Sequence, residues 1–445
     1  MPPPKYRVLV ESIAADIRAG RLGAGSRLPT HRELARREQI AVVTATRVYA
    51  ELESRGLVSR ERGRGTFVRD TSLPSGHGVD QRAVPADAID LSFNSPALPL
   101  QTDLLRAGLR DLASSGDLEA LLRYQPHAGR GQDRAAIAGH LLRRGLTTHP
   151  DRVLVVSGAQ HGLAVTVMST LSAGDAVAVD ALTYPGFTAL ARQLRLDLAP
   201  VPVRHDGPDL DALDALCARR PIRAVYTMPT LHNPLGWVLS AAQRERLCAI
   251  ARRRGALVVE DASYAYLEED PPPPLASIAP DVTVYVSGLS KSVATGLRVG
   301  FVVAPAGLVP ALERAVRVTT WNTPVLATAL VRRWIEDGTV ARLEVLKRED
   351  ARARQEVARR ALGDLPVVGH PASYFLWLPL PADARPDRVA ATLARQGIAV
   401  ATAEPYSADP HPPQALRVAL GSTDLSGLES SLTAVRDTVV DDSRW

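Results

Sequence analysis

From Ile89 onward the chain sets short apolar runs against amphipathic stretches, and this alternation constrains the fold more than any other feature. The runs are VLVV (153–156), AVAV (176–179), AVYTM (224–228), ALVVE (256–260), VTVYV (282–286) and RVGFVV (298–303), with segments such as SAAQRERLCAIARRRG between them. Runs so short and so uniformly apolar are buried on both faces. Strands alternating with helices build a mostly parallel sheet covered on two sides, so this part of the chain is expected to be α/β. Ligands of such sheets sit at the carboxyl ends of the strands.

The residues that follow the runs are chemically uneven. SGAQHGL, after 153–156, reads as a strand, a small-residue turn and a helix start, where backbone amides and the helix dipole favour a phosphate. A tight strand-to-helix turn with no ligand would look the same. Asn233 in MPTLHNPLG is, taken alone, ordinary turn chemistry. Asp261 and Tyr264, in EDASYAYL, close a buried apolar strand, and a carboxylate there needs a cationic partner or strong donors. Last comes SGLSK, with Lys291 followed seven residues later by Arg298.

Lysine is scarce enough to be informative. The chain holds 53 Lys and Arg, yet its lysines are only Lys5, Lys291 and Lys347. Lys5 is near the terminus, and Lys347 lies in the charge-dense helical run LEVLKREDARARQE. Lys291 sits among small residues in VSGLSKSVATGLRVG. Lysine forms an imine with an aldehyde and arginine does not, so Lys291 points to amine chemistry. Taken together, the strand-end residues supply an imine lysine, a carboxylate for a protonated pyridine nitrogen, donors for a ring hydroxyl, and Ser, Arg and helix amides for a phosphate.

The first 69 residues read differently. They carry 14 Lys and Arg against 7 Asp and Glu, whereas the remainder carries 39 against 41. Tyr6, Val10, Ile13 and Ile17 share one face of a first helix. Thr30 and Glu33 have capping-box spacing for a second, and Val42–Arg55 gives a third with Ala45, Val48, Tyr49 and Leu52 inward. LVSRERGRGTFV then reads as two strands around a basic turn. Three helices and a basic hairpin make a winged helix-turn-helix, whose recognition helix enters the major groove of double-stranded DNA. The candidate contacts are Arg32, Thr44, Thr46, Arg47 and the wing residues Arg62, Arg64 and Thr66.

YRVLVESIAADIRAGRLGAGSRLPTHRELA…VTATRVYAELESRGLVSRERGRGTFV resembles the GntR-type DNA-binding domain along its length. Residues 89 to about 440 resemble fold-type I aminotransferases, and the fusion resembles the MocR-type regulators of the GntR superfamily. The resemblance implies a winged helix-turn-helix at 1–69, a linker at 70–88, and at 89–445 an aminotransferase-like domain. That domain would have a large part with the mostly parallel sheet and a smaller C-terminal α+β part. It implies pyridoxal phosphate as cofactor, held as a Schiff base on Lys291 with Asp261 at the pyridine nitrogen. By the same resemblance Asn233 and Tyr264 contact the ring oxygen and Tyr184 stacks on the ring. Ala159, Gln160, Ser290 and Arg298 bind the phosphate, and Arg417 takes a substrate carboxylate. Tyr124 reaches the phosphate of a second copy, so a homodimer is implied. Lys291, Asp261 and Tyr264 are the catalytic residues of this reading. Three departures stand out. Ala41 replaces a Ser or Thr at the start of the recognition helix. Gly288 stands where Ser or Thr often precedes the lysine, with Ser287 or Ser290 as substitutes. Ala262 and Ser263 replace an acid and an apolar residue.

Other features narrow the setting. No apolar run approaches the roughly 20 residues of a membrane helix. The N-terminus turns charged and amphipathic at once, and two cysteines cannot make a disulfide framework, so a reduced, cytoplasmic protein is expected. Residues 70–88 have linker composition. The reading favoured by the sequence is a transcriptional regulator that senses pyridoxal phosphate or an amino compound, such as an amino acid or amine effector. Its alternative is a working aminotransferase that carries a DNA-binding domain. A scaffold independent of the cofactor is disfavoured by the intact Lys291 and Asp261.

Overall fold

The computed structural model describes residues 5–23, 25–61, 65–69, 88–115 and 118–443. Its N-terminal module has three helices, α1 (Lys5–Arg18), α2 (His31–Arg37) and α3 (Val42–Ser54), followed by the hairpin strands β1 (Val58–Glu61) and β2 (Gly65–Val68). Val10, Ala14, Ile17, Leu34, Ala45, Val48, Tyr49 and Leu52 form one buried core, as their spacing requires. Thr30 and Glu33 close a reciprocal capping box at the start of α2. Ala41, by contrast, leaves the N-terminus of α3 without a side-chain cap, a deficit worth about 1 kcal/mol.

The body begins with a short strand, β3 (Ile89–Leu91). Seven strands then form the large sheet: β4 (Val153–Val156), β5 (Ala176–Asp180), β6 (Asp197–Val201), β7 (Ile222–Thr227), β8 (Leu257–Asp261), β9 (Thr283–Gly288) and β10 (Gly300–Val303). Their order across the sheet is β4-β10-β9-β8-β7-β5-β6. All neighbours are parallel except that β10 runs against both β9 and β4. Each apolar run thus becomes a strand with helices on both faces, and the residues after β4, β8 and β9 gather at one edge. Two helices frame that edge: α4 (Ala159–Thr170) follows β4, and α5 (Pro185–Gln193) follows β5.

The long helix α6 (Thr339–Leu362) leads into a smaller α+β part. There β11 (Phe375–Pro379), α7 (Pro386–Arg395), β12 (Ile398–Thr402), β13 (Ala415–Ala419) and α8 (Leu425–Asp442) follow in turn. Its sheet runs β11-β13-β12-β3, so the strand that opens the body completes the C-terminal part. Leu91, Val357, Leu376, Val400, Val418 and Leu432 share its core. No helix among the described residues is long and apolar enough to cross a membrane.

The hairpin rests on this smaller part. Phe67 lies under the Arg385 guanidinium, 4.7 Å from ring centroid to Cζ. Arg69 forks onto Glu404 with Nη1 and Nη2 at 3.0 and 2.5 Å from the two carboxylate oxygens.

Candidate functional site

Where β8 and β9 end, a cavity of about 360 Å³ is lined by nearly every strand-end residue singled out above, including Tyr184, Asn233, Asp261, Tyr264, Lys291, Arg298 and Arg417. Asp261 is buried at the last position of β8. Its Oδ2 accepts from Tyr226 Oη at 3.0 Å, and its Oδ1 accepts from the Ser263 amide at 3.0 Å and Ser263 Oγ at 2.6 Å. Burial pushes this carboxyl above its ordinary range, while the Ser263 and Tyr226 donors pull it back. No basic side chain among the described residues pairs with it. Across the cavity Lys291 Nζ donates to the carbonyl of Asn94. Asn94 Nδ2 in turn donates to Tyr264 Oη at 3.4 Å. Burial first, and then Asp261, push the Tyr184 phenol well above its usual value.

The opposite end of the cavity is a cradle of backbone and guanidinium. Gly158 caps α4 with φ of +88°, and a Cβ there would stand 2.5 Å from Arg298 Nη2. Arg298 Nη1 donates to Ser290 Oγ at 3.0 Å. A Cβ on Gly300 would lie 2.6 Å from the Gly158 carbonyl carbon and 2.9 Å from the Ala159 nitrogen. Glycine at 300 therefore lets β10 run directly under the first turn of α4, whose free amides and dipole suit an anion. Gly288 is less crowded: its notional Cβ lies 3.2 Å from the Val299 carbonyl oxygen and 3.3 Å from the Ala159 nitrogen. Of the two serines flanking this segment, Ser290 lines the cavity. Ser287 is buried and donates to the Ala262 carbonyl, so it is no substitute. Gly300→Ala is expected to push β10 and the first turn of α4 apart, lowering the unfolding temperature and weakening binding of a phosphorylated ligand by roughly tenfold or more, at least about 1.4 kcal/mol. Gly296→Ala, where a Cβ meets nothing within 4 Å, should leave affinity unchanged in the same titration.

Arg417 is buried in the middle of β13. Its Nη1 donates to the Ser92 carbonyl at 3.1 Å, and its guanidinium lies 4.7 Å from the Phe375 ring and 5.9 Å from the Tyr406 ring. Four buried polar atoms of residues lining the cavity have no protein partner: Asn94 Oδ1, Gln160 Oε1, Asn233 Oδ1 and Arg417 Nε. Unpartnered buried polar atoms are uncommon, and a set of them around one cavity indicates a polar ligand. An amine, a buried carboxylate, a phosphate cradle, an aromatic ring and an inward arginine are the groups pyridoxal phosphate and an amino acid require. The residues present fit.

Not every expected residue falls in place. Thr66 is buried, because the strand period turns Thr66 and Val68 of β2 inward, so it is not a DNA contact. Arg62 and Arg64 lie outside the described residues. Arg32 and Thr46 are exposed, Thr44 is half-buried, and Thr46 Oγ1 donates back to the Val42 carbonyl. Arg47 lies 4.1 Å over the Tyr6 ring and donates to its hydroxyl, so its head packs on α1. Tyr124, expected to reach a second copy and not this chain's own cavity, is 86% exposed, with its ring tilted against Trp321. Sequence reasoning missed Tyr226, Ser263 and Asn94 as partners of the site. The phenol inside the otherwise apolar AVYTM run was the available signal for Tyr226.

Comparison with known proteins agrees with this geometry. Residues 86–434 match the family described as aminotransferase class I and II, and residues 5–68 match bacterial regulatory proteins of the gntR family. An uncharacterized HTH-type transcriptional regulator of Bacillus subtilis, YdeF, is 29% identical over 97% of this chain and 94% of its own. The HTH-type pyridoxine biosynthesis transcriptional regulator PdxR of Corynebacterium glutamicum is 26% identical over 97% of this chain and 95% of its own. Among solved structures, LysN, the alpha-aminoadipate aminotransferase of Thermus thermophilus complexed with N-(5'-phosphopyridoxyl)-L-leucine, superposes with a TM-score of 0.74. It is 25% identical, over 83% of this chain and 96% of that one.

Proposed function

The chain belongs to the class I and II aminotransferase family and carries a gntR-family domain ahead of that body, and from this we propose that it is a DNA-binding transcriptional regulator of the MocR type that senses pyridoxal phosphate or an amino compound. Its setting is the cytoplasm, and its working form is a homodimer on double-stranded DNA. The single observation that carries the reading is the cofactor-sized cavity, with its amine, carboxylate and phosphate cradle, in the same chain as a winged helix-turn-helix.

Pyridoxal phosphate is the cofactor, and when bound it supplies an electron-withdrawing ring to an attached amine. Lys291 would hold it covalently through Nζ. Asp261, kept in register by Tyr226 and Ser263, would stand against the ring nitrogen, and its charge would keep a proton there. Asn233 and Tyr264 would hold the ring oxygen, while Tyr184 would cover one face. Ser290, Arg298 and the first amides of α4 would take the phosphate. Arg417 would bind the carboxylate of an amino acid in bidentate fashion, a geometry lysine cannot offer.

A route from this cavity to the DNA-binding module is supported by the contact of the hairpin with the smaller part. Tyr406 lines the cavity beside Arg417, and Glu404, two residues earlier, holds Arg69 at the end of β2. An exposed pair of this kind is worth little in stability, about 0–1 kcal/mol, so it can release without unfolding either side.

The test is to select duplexes from a random pool with the loaded protein, then measure binding to them with and without each amino acid, alongside turnover with 2-oxo acids. Ligand-dependent binding without sustained turnover is the expected result. A second reading, a working transaminase, is favoured by the completeness of the site and by the likeness to the Thermus enzyme. Steady conversion with DNA binding indifferent to ligand would replace the regulator by that reading.

A further inference from the structure

We infer that Lys347 is a positioning residue for Lys291: its ammonium gathers the carbonyls of Pro96, Lys291 and Val293 and so fixes both segments that meet at the amine. The inference rests on the assignment of Lys291 as the cofactor lysine. The body of the protein, an otherwise arginine-built domain, contains these two lysines and no others. Lys347 lies within the charge-dense run of α6, where a solvated side chain would be unremarkable, yet it is completely buried. Its Nζ donates to Pro96 O at 3.0 Å, Lys291 O at 2.8 Å and Val293 O at 3.3 Å.

These contacts are arranged for a purpose beyond filling space. Three donors on one tetrahedral nitrogen meet three acceptors, which a planar guanidinium could not do from the same point. Two of the acceptors belong to the segment carrying the Lys291 amine. The third lies two residues beyond Asn94, whose carbonyl that amine contacts. Lys347 therefore sets both ends of the Lys291–Asn94 contact. Tyr266 Oη adds a second donor to Lys291 O at 3.0 Å, and Tyr374 Oη holds the Lys347 carbonyl at 2.9 Å.

A buried cation also has an electrostatic consequence. Burial, and then the Lys291 charge, push the Lys347 ammonium down to about 8, with Asp350 opposing. Asp350 is itself engaged by Arg354, and Glu344 by Arg144. Arg348 donates to the Tyr266 carbonyl, and the hydroxyls of Tyr266 and Tyr374 complete the surroundings.

Lys347→Met keeps the length and loses donors and charge; Lys347→Gln keeps an amide donor and loses the charge. In the full chain without cofactor, hydrogen exchange of backbone amides in 92–98 and 289–297 is expected to speed up roughly tenfold or more in Lys347→Met, while β7 and β8 keep their protection. After addition of pyridoxal phosphate, affinity for it should fall roughly tenfold. Lys347→Gln, which keeps a donor, should recover part of that affinity and of the lost protection. Unchanged exchange in both segments, or faster exchange throughout the chain, would overturn the inference. So would failure of both variants to fold, since Lys347 would then hold the fold and not the amine. If wild-type protein acquires no visible band with pyridoxal phosphate, the cofactor reading fails, and the exchange measurement still decides whether Lys347 fixes the two segments.

Discussion

Lys291→Ala protein mixed with pyridoxal phosphate should stay colourless at concentrations that turn the wild type yellow, while its circular dichroism and unfolding temperature remain close to wild type. The argument starts from what the side chain does in the fold, which is little. Its Nζ makes one hydrogen bond to a carbonyl at the wall of a cavity, and its backbone is held by Lys347 and Tyr266 whether or not the side chain is present. Truncation therefore removes no core packing and leaves only the Asn94 carbonyl short of a partner, which water in the open cavity can supply. What is lost is the one lysine that lines the cavity: Lys347 is not among the lining residues, and every other Lys or Arg of the body is an arginine. Ser290, Arg298 and the amides of α4 still take the phosphate, so binding weakens by roughly a hundredfold, about 3 kcal/mol. Dialysis of the two proteins followed by borohydride treatment and peptide mapping provides the check. A yellow Lys291→Ala protein, or label on Lys347 in the wild type, would remove Lys291 from its role.

The positions of the strands were legible because both physical signals agreed. An apolar run of four to six residues flanked by helical period has one good place to go, and β4, β5, β7, β8, β9 and β10 took those places within a residue or two. Asp261 was legible for the same reason, since a carboxylate at the end of such a run must have a purpose. What stayed hidden depends on long-range contacts that period and composition do not encode. Ser263 reads as a departure from a family pattern, yet it supplies two of the three hydrogen bonds that hold Asp261. Lys347 reads as one charge among many on a solvated helix, and only the packing of α6 against two remote segments reveals it. Thr66 was misplaced because a turn rich in Arg and Gly says nothing of which strand face looks inward. Arg47 shows the limit of helical-wheel reasoning. It does lie outside the core and is exposed, but its long side chain reaches α1, where Tyr6 captures the guanidinium.

Asp261→Asn separates binding from chemistry and carries the second large effect. The substituted amide is nearly the same size; its oxygen can keep the Ser263 donors and its NH2 can donate to Tyr226 Oη, which then accepts instead of donating, so the fold is expected to persist. The amide has no charge to set against a protonated ring nitrogen. In the wild type, burial raises the carboxyl on its own, and a cationic ring nitrogen beside it works in the opposite direction, favouring the ionised form. Each group therefore stabilises the charged state of the other, and such mutual stabilisation in a buried site amounts to about 3–5 kcal/mol when one partner is removed. With Lys291 and the phosphate cradle intact, the visible band should still form. The step that needs an electron-accepting ring should slow by roughly a hundred- to a thousandfold, about 3–4 kcal/mol. Stopped-flow spectra after addition of an amino acid that shifts the wild-type band would measure this. An Asp261→Asn protein that responds at the wild-type rate would mean the ring nitrogen is unprotonated in this site, and Asp261 would then be a structural carboxylate held by Ser263 and Tyr226.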